Sequence, residues 1–186
     1  MALPDLPLKL TYDDYVFFPE DGQRHEILDG EHYVTPAPFL RHQSICVNLV
    51  GRFEPFLRQN PLGKIFVAPA DVVLSTYDVV QPDLFYVSKQ RARILTEKNV
   101  QGAPDLVIEI LSPRTRRMDE GIKLERYEQL GVDEYWMLYP DLKTAKIYRR
   151  DGHRFVLAAE LSAAAGDALT TPLLPGFEIP LAGIFA

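Results

Sequence analysis

Apolar residues recur at helical spacing from Arg41 to Arg58, where Ile45, Leu49, Phe53 and Phe56-Leu57 mark one stripe, the period of a helix with one buried face. Asn60-Pro61-Leu62-Gly63 stops it. Three runs of strand character follow, Lys64–Ser75, Val79–Val87 and Pro104–Leu111. The last is apolar on both faces apart from its acids, the pattern of a central strand covered on both sides. Helical spacing returns from Arg114 to Leu130, with Gly131 placed as the left-handed residue that ends the helix. Glu134–Tyr139 reads as a further strand, Pro140-Asp141 as a turn into Lys143–Arg150, and Asp151-Gly152 as the link to Arg154–Glu160. Near the start, Thr11 and Asp14 form a capping box for a short helix around Tyr12–Phe18, closed by Pro19 to Gly22. Asp29-Gly30 joins His25–Leu28 to Glu31–Thr35 as a hairpin, and Pro36 and Pro38 break the second strand. The order helix, three strands, helix, strand predicts an α/β fold with a mixed sheet, helices against it and an N-terminal β-hairpin extension.

Composition narrows this further. With 186 residues, 47% hydrophobic and 25% charged, the chain has the length and make-up of one globular domain with a real core. We expect one domain over 1–186: helix and hairpin at 11–36, a core at about 40–150 and C-terminal strands at 143–186. The one loop with a flexible composition is Leu161 to Gly166. A formal charge of -6 excludes a general basic coat, though not a local basic patch. The single cysteine, Cys46, excludes an internal disulfide and a cysteine-cluster metal site; it falls in the apolar helical pattern and reads as core. No run reaches the roughly 18 apolar residues of a membrane span. Met1-Ala2-Leu3-Pro4-Asp5 lacks the features of a signal peptide. The expected location is cytoplasmic.

The acids occupy unusual places. Along Pro104–Leu111, alternation puts Asp105, Val107, Glu109 and Leu111 on one face and Leu106, Ile108 and Ile110 on the other. Glu109 thus lies among residues that favour burial, where a carboxylate must neutralise or find a cation. That cation is an arginine (Arg114, Arg116 or Arg117), or else the strand end reaches water, or a metal is held. In Val79–Val87, Asp83 shares a face with Gln81, Phe85 and Val87. If the two strands are neighbours, Asp83 and Glu109 converge, and carboxylate oxygens with water are the ligand set of Mg²⁺ rather than Zn²⁺. Asp71 falls opposite Asp83 if a hairpin turns at Tyr77; a one-residue slip removes it, and a rim or turn position is equally open. Asp119, Lys123 and Tyr127 line one helical stripe, with Lys123 at the edge of the core-facing side or else a solvated partner of Asp119. Glu26 is a further acid of the site or a partner of Arg24. His42 and Gln43 read equally well as surface residues. His32 and His153 lack partners at metal-ligand spacing, and there is no GxSxG, P-loop or GxGxxG.

The segments His25–Glu31, Arg41-His42-Gln43, Val80-Gln81-Pro82-Asp83, Ala103–Pro113, Lys123–Tyr127 and Gly131–Trp136 together resemble the Uma-two family of the PD-(D/E)XK restriction-endonuclease-like superfamily. The resemblance runs from about Tyr12 to the C-terminal strands. It implies a restriction-endonuclease-like core in which Asp83 and Glu109 hold Mg²⁺ (Mn²⁺ as substitute). It also implies a lysine two positions after the second acid. Here that position is Leu111, and Lys123 on the following helix takes its place; Glu26 completes the acidic site. The resemblance thus implies metal-dependent hydrolysis of DNA, with Arg114, Arg116, Arg117, Arg91 and Arg93 as phosphate contacts and a homodimer as the assembly. Leu173–Phe177 would cover either its own core or a neighbour. Two other classes stay open: a nuclease-like fold that binds nucleic acid or protein without cutting, and a hydrolase of a small phosphorylated compound.

Overall fold

The computed structural model describes residues 8–35 and 37–186; the strand-breaking role of Pro36 and the leader reading of Met1–Asp5 lie outside them. Thr11 caps helix α1 (Tyr12–Tyr15), with both halves of the capping box formed; the helix is shorter than expected and gives way to turns before Phe18. Strands β1 (Arg24–Leu28) and β2 (Glu31–Thr35) meet at Asp29-Gly30, whose φ of 50° and 81° are those of a two-residue primed turn. Helix α2 (Leu40–Gln59) buries Ile45, Leu49, Phe53 and Leu57, the stripe its spacing predicts.

The two long strand runs expected next are each broken in two. The pieces are β3 (Gly63–Val67), β4 (Val72–Ser75), β5 (Asp78–Val80) and β6 (Leu84–Ser88). β3 pairs with β6 and β4 with β5, so one excursion of chain feeds two different sheets. Pro69 and Pro82, which have no N–H for a ladder, stand at the two breaks. After β7 (Val100–Gln101) and β8 (Leu106–Ile110), the expected helix of 114–130 is kinked. It consists of α3 (Arg116–Met118), a π-helical turn (Asp119–Lys123) and α4 (Leu124–Leu130). Gly121 leaves the helical region within the turn (φ -109°, ψ -105°), and Gly131 ends α4 at φ 97°. Strands β9 (Glu134–Tyr139), β10 (Thr144–Asp151) and β11 (Arg154–Ser162) follow as a meander, then β12 (Ala168–Thr170), β13 (Glu178–Pro180) and α5 (Leu181–Ile184). Leu161–Gly166 is not a linker: it finishes β11 and forms one tight turn.

The main sheet runs β11-β10-β9-β8-β6-β3, with β8 and β9 parallel and the other pairs antiparallel; the second runs β2-β1-β5-β4-β7. The main sheet is covered on both faces. On one side α2 packs with Leu84, Tyr86, Leu106, Ile108, Ile110 and Trp136, sealed by Leu169, Leu174, Phe177 and Ile179. The Phe53 and Phe177 rings are 4.4 Å apart, so the segment around Leu174 covers its own core. On the other side Phe85, Val87, Val107, Tyr127, Tyr135 and Met137 meet Leu28, Val72, Val80 and Val100 of the smaller sheet. No helix among the described residues is long and apolar enough to cross a membrane.

Candidate active site

β8 realises the alternation read from its sequence. Leu106, Ile108 and Ile110 face α2, whereas Val107 and Leu111 pack in the second core, and Glu109 follows their parity. Antiparallel β6 lies beside β8 with Leu84 opposite Ile108. Asp83, just before β6, therefore arrives next to Glu109. The two acids tie each other's strands: the Asp83 N–H donates to Glu109 Oε2 at 3.2 Å, and the Ile110 N–H donates to Asp83 Oδ2 at 2.9 Å.

The kinked helix brings the cation. Lys123 Nζ lies 3.0 Å from Glu109 Oε1, 3.0 Å from Glu26 Oε1 and 3.8 Å from Asp119 Oδ1. The Tyr127 hydroxyl donates to Glu109 Oε1 at 3.0 Å. The i, i+4, i+8 stripe of Asp119, Lys123 and Tyr127 thus points at the acids, across the kink at Gly121. Glu26, on β1, also accepts from the Gln81 N–H at 2.8 Å. All four residues expected at the site, Asp83, Glu109, Lys123 and Glu26, come together, each no more than 4% exposed.

Two further residues belong to the cluster. Arg24 Nη1 contacts Asp83 Oδ1 at 2.6 Å, and His42 Nε2 contacts Asp83 Oδ2 at 2.8 Å. His42 is therefore not a surface residue, and Arg24 pairs with Asp83 rather than Glu26. Both were within reach of the sequence. His42, Cys46, Leu49 and Phe53 share one stripe of α2, and Arg24 and Glu26 share one face of β1.

The electrostatics follow from crowding. Burial pushes the Glu109 carboxyl up to about 8, opposed by Lys123 and reinforced by Asp83. Burial raises Asp119 to about 6 against the pull of Lys123. Burial also works on Asp83, but hydrogen bonds and charge from His42 and Arg24 outweigh it and hold that carboxyl at about 2. Burial alone would lower Lys123; Glu109, Glu26 and Asp119 overcome it and keep the amine an ammonium. Four carboxyl groups thus share Lys123 and Arg24, and the raised Glu109 and Asp119 mark a shortage of positive charge that one divalent ion would fill. The donors are hard oxygens, as Mg²⁺ requires. Among the described residues no three acid, histidine or cysteine side chains form a ready coordination shell. A protein pair completed by water and substrate oxygens is the usual way Mg²⁺ is bound, so the residues fit the ion in kind and charge.

Other expectations resolve differently. Asp71 stands apart from Asp83, accepting from the Tyr15 hydroxyl at 2.7 Å and Gln81 Nε2 at 2.8 Å, because Ala68 rather than Asp71 meets Asp83 across the strands. Arg91 is not free for phosphate: it contacts Asp105, Asp133 and the carbonyls of Ala103, Pro104 and Gly131. Glu109 takes none of the three arginines proposed for it. Arg116 pairs with Glu120, while Arg114 and Arg117 border the cleft and its continuation. His32 Nε2 lies 2.9 Å from His25 Nδ1 across the hairpin, a hydrogen bond rather than a metal pair. Cys46 is buried, its thiol pushed by burial up to about 12. Leu111 is buried in the second core.

A mixed sheet flanked by helices thus carries, at one end, an acid on β8, a second acid just before β6 and a lysine from the kinked helix. The family model described as "Putative restriction endonuclease" (Uma2) matches residues 12–182, and the chain belongs to that family. Among solved structures, the fold is similar to that of "a putative nuclease belonging to DUF820" from Anabaena variabilis ATCC 29413. The TM-score is 0.77 at 19% sequence identity, covering 95% of this chain and 97% of that one. No curated protein matches.

Proposed function

We propose that the protein hydrolyses DNA phosphodiester bonds, with Asp83 and Glu109 holding one Mg²⁺. The observation that carries this reading is that the Asp83 N–H and the Lys123 ammonium both bind the Glu109 carboxylate in one cleft that all three residues line. Bound there, the ion would supply polarisation of a phosphate oxygen and an acidified water. The chain's own residues do the rest. The Lys123 ammonium is held by Glu26 and Glu109 and is placed to orient a water or to stabilise negative charge developing on the phosphate. Tyr127 and the Asp83 N–H fix the Glu109 carboxylate from two sides. Arg24 and His42 hold Asp83 ionised, and Arg24, partly open to the cleft, is a second cation for a phosphate. Lys123 thereby stands in for the lysine that Leu111 replaces, reaching the same carboxylate from the helix instead of the strand.

The test is cleavage of circular single-stranded DNA and of supercoiled plasmid by purified protein with Mg²⁺ or Mn²⁺. Cleavage that is lost in Asp83→Ala and Glu109→Ala supports the assignment. Cleavage that persists equally in both refutes it.

A further inference from the structure

The acids are sunk below the surface, Asp83 at 4% and Glu109 at 3% exposure, so a phosphate must descend to reach them. Two residues that line the cleft also meet each other: the Arg114 guanidinium lies over the Phe39 ring, 5.4 Å from its centroid. That contact ties the chain leading into α2 to the chain leaving β8. From there the cleft continues as a groove between β2 and the kinked helix, with Thr35, Arg114 and Met118 lining both. Further along, Tyr33 and Val34 form one wall and Arg117 and Ile122 the other. No carboxylate lines that groove among the described residues, although the whole chain carries a formal charge of -6. Neither Arg114 nor Arg117 makes an ion pair with a described residue, whereas neighbouring Arg116 is taken by Glu120.

Arginines without an ion pair, beside the exposed Phe39 and Val34 and the half-buried Tyr33, Met118 and Ile122, suit one kind of nucleic acid. A single strand offers phosphates along one edge and unstacked bases along the other, and is bound by a basic track interleaved with aromatic rings. A duplex shields its base faces, and its backbone rides on a rod stiff over about 150 base pairs, which cannot dip into a bridged cleft without distortion.

We propose that DNA is taken as a single strand laid along the cleft and this groove, with Arg114 and Arg117 on its phosphates and the exposed Phe39 ring against a base. The inference rests on the nuclease reading for the identity of the ligand, but its readout needs no turnover. The experiment is fluorescence anisotropy in EDTA at low salt. It compares a labelled single-stranded 20-nucleotide DNA with the same sequence annealed as a blunt duplex.

The expected result is single-strand binding tighter by on the order of tenfold, weakened on the order of tenfold by Phe39→Ala, as loss of one stacked base implies. Arg117→Glu weakens it too, and flattens its salt dependence as lost phosphate contacts do. Phe39 and Arg117 are exposed, so both variants keep the fold. Equal or tighter binding of the duplex overturns the proposal, as does single-strand binding indifferent to both substitutions. Cleavage with Mg²⁺ is scored separately. A strand preference without any cutting defeats the nuclease reading and leaves this one standing, and efficient cutting of duplex without the preference does the reverse.

Discussion

Two buried clusters of charge lie about one β-hairpin apart in this molecule, and they are built to different ends. At the first, Asp78 is fully buried and saturated with donors. It accepts from the Asp29 N–H, the Ser75 hydroxyl and two Arg126 nitrogens at 2.6–2.9 Å. Burial pushes its carboxyl up, yet the Arg126 pair and those hydrogen bonds win and leave it below the ordinary value of 3.8. At the second, Glu26, Asp83, Glu109 and Asp119 share Lys123 and Arg24, and burial drives Glu109 well above the usual carboxylate range. A buried acid is therefore no mark of a site in itself. The mark is an excess of acids over the cations that answer them, which costs stability and is kept where function uses it.

The comparison can be broken by substitution. The largest effect expected is on activity: Asp83→Ala or Glu109→Ala lowers DNA cleavage by more than about 100-fold, beyond what loss of a residue merely supporting a metal ligand costs. Next is stability at the saturated cluster. Asp78→Ala leaves Arg126 with only Gln129 and the more distant Asp29 and costs about 3 kcal/mol in urea denaturation, the low end for a broken buried pair because Arg126 is 17% exposed. The same pair has a signed pH dependence. Its folded carboxyl is depressed, so the stabilisation is complete above 3.8 and disappears as pH falls through the lower folded value. The stability gap between wild type and Asp78→Asn should accordingly close under acid and be level near neutrality. The smallest effect is at the crowded cluster. Asp119→Asn removes one surplus charge and should change stability by less than about 1 kcal/mol, or raise it. A loss of several kcal/mol there would erase the distinction between the clusters.

Much of this was open to reading from residue order alone. The period-2 pattern of Leu106–Leu111 placed Glu109 on the inner face, and the i, i+4, i+8 spacing turned Asp119, Lys123 and Tyr127 the same way. What the pattern hid was where strands stop. The runs around Asp71 and Asp83 look continuous in apolar content, and only Pro69 and Pro82 hint that each divides between two sheets, a division that removes Asp71 from the site. The π-helical turn at Asp119–Lys123 was also hidden, since a kink at Gly121 leaves the apolar period on either side intact. Arg24 and His42 were missed because each was weighed singly: their meaning lies in pairing with an acid 59 and 41 residues away.

Anomalous diffraction from crystals soaked in Mn²⁺ decides whether the acid pair is a metal centre. One strong peak is expected between the Asp83 and Glu109 carboxylates, lost in Glu109→Ala. A peak elsewhere, or none at millimolar Mn²⁺ with the Arg24–Asp83 and Lys123–Glu109 pairs still closed, would contradict it.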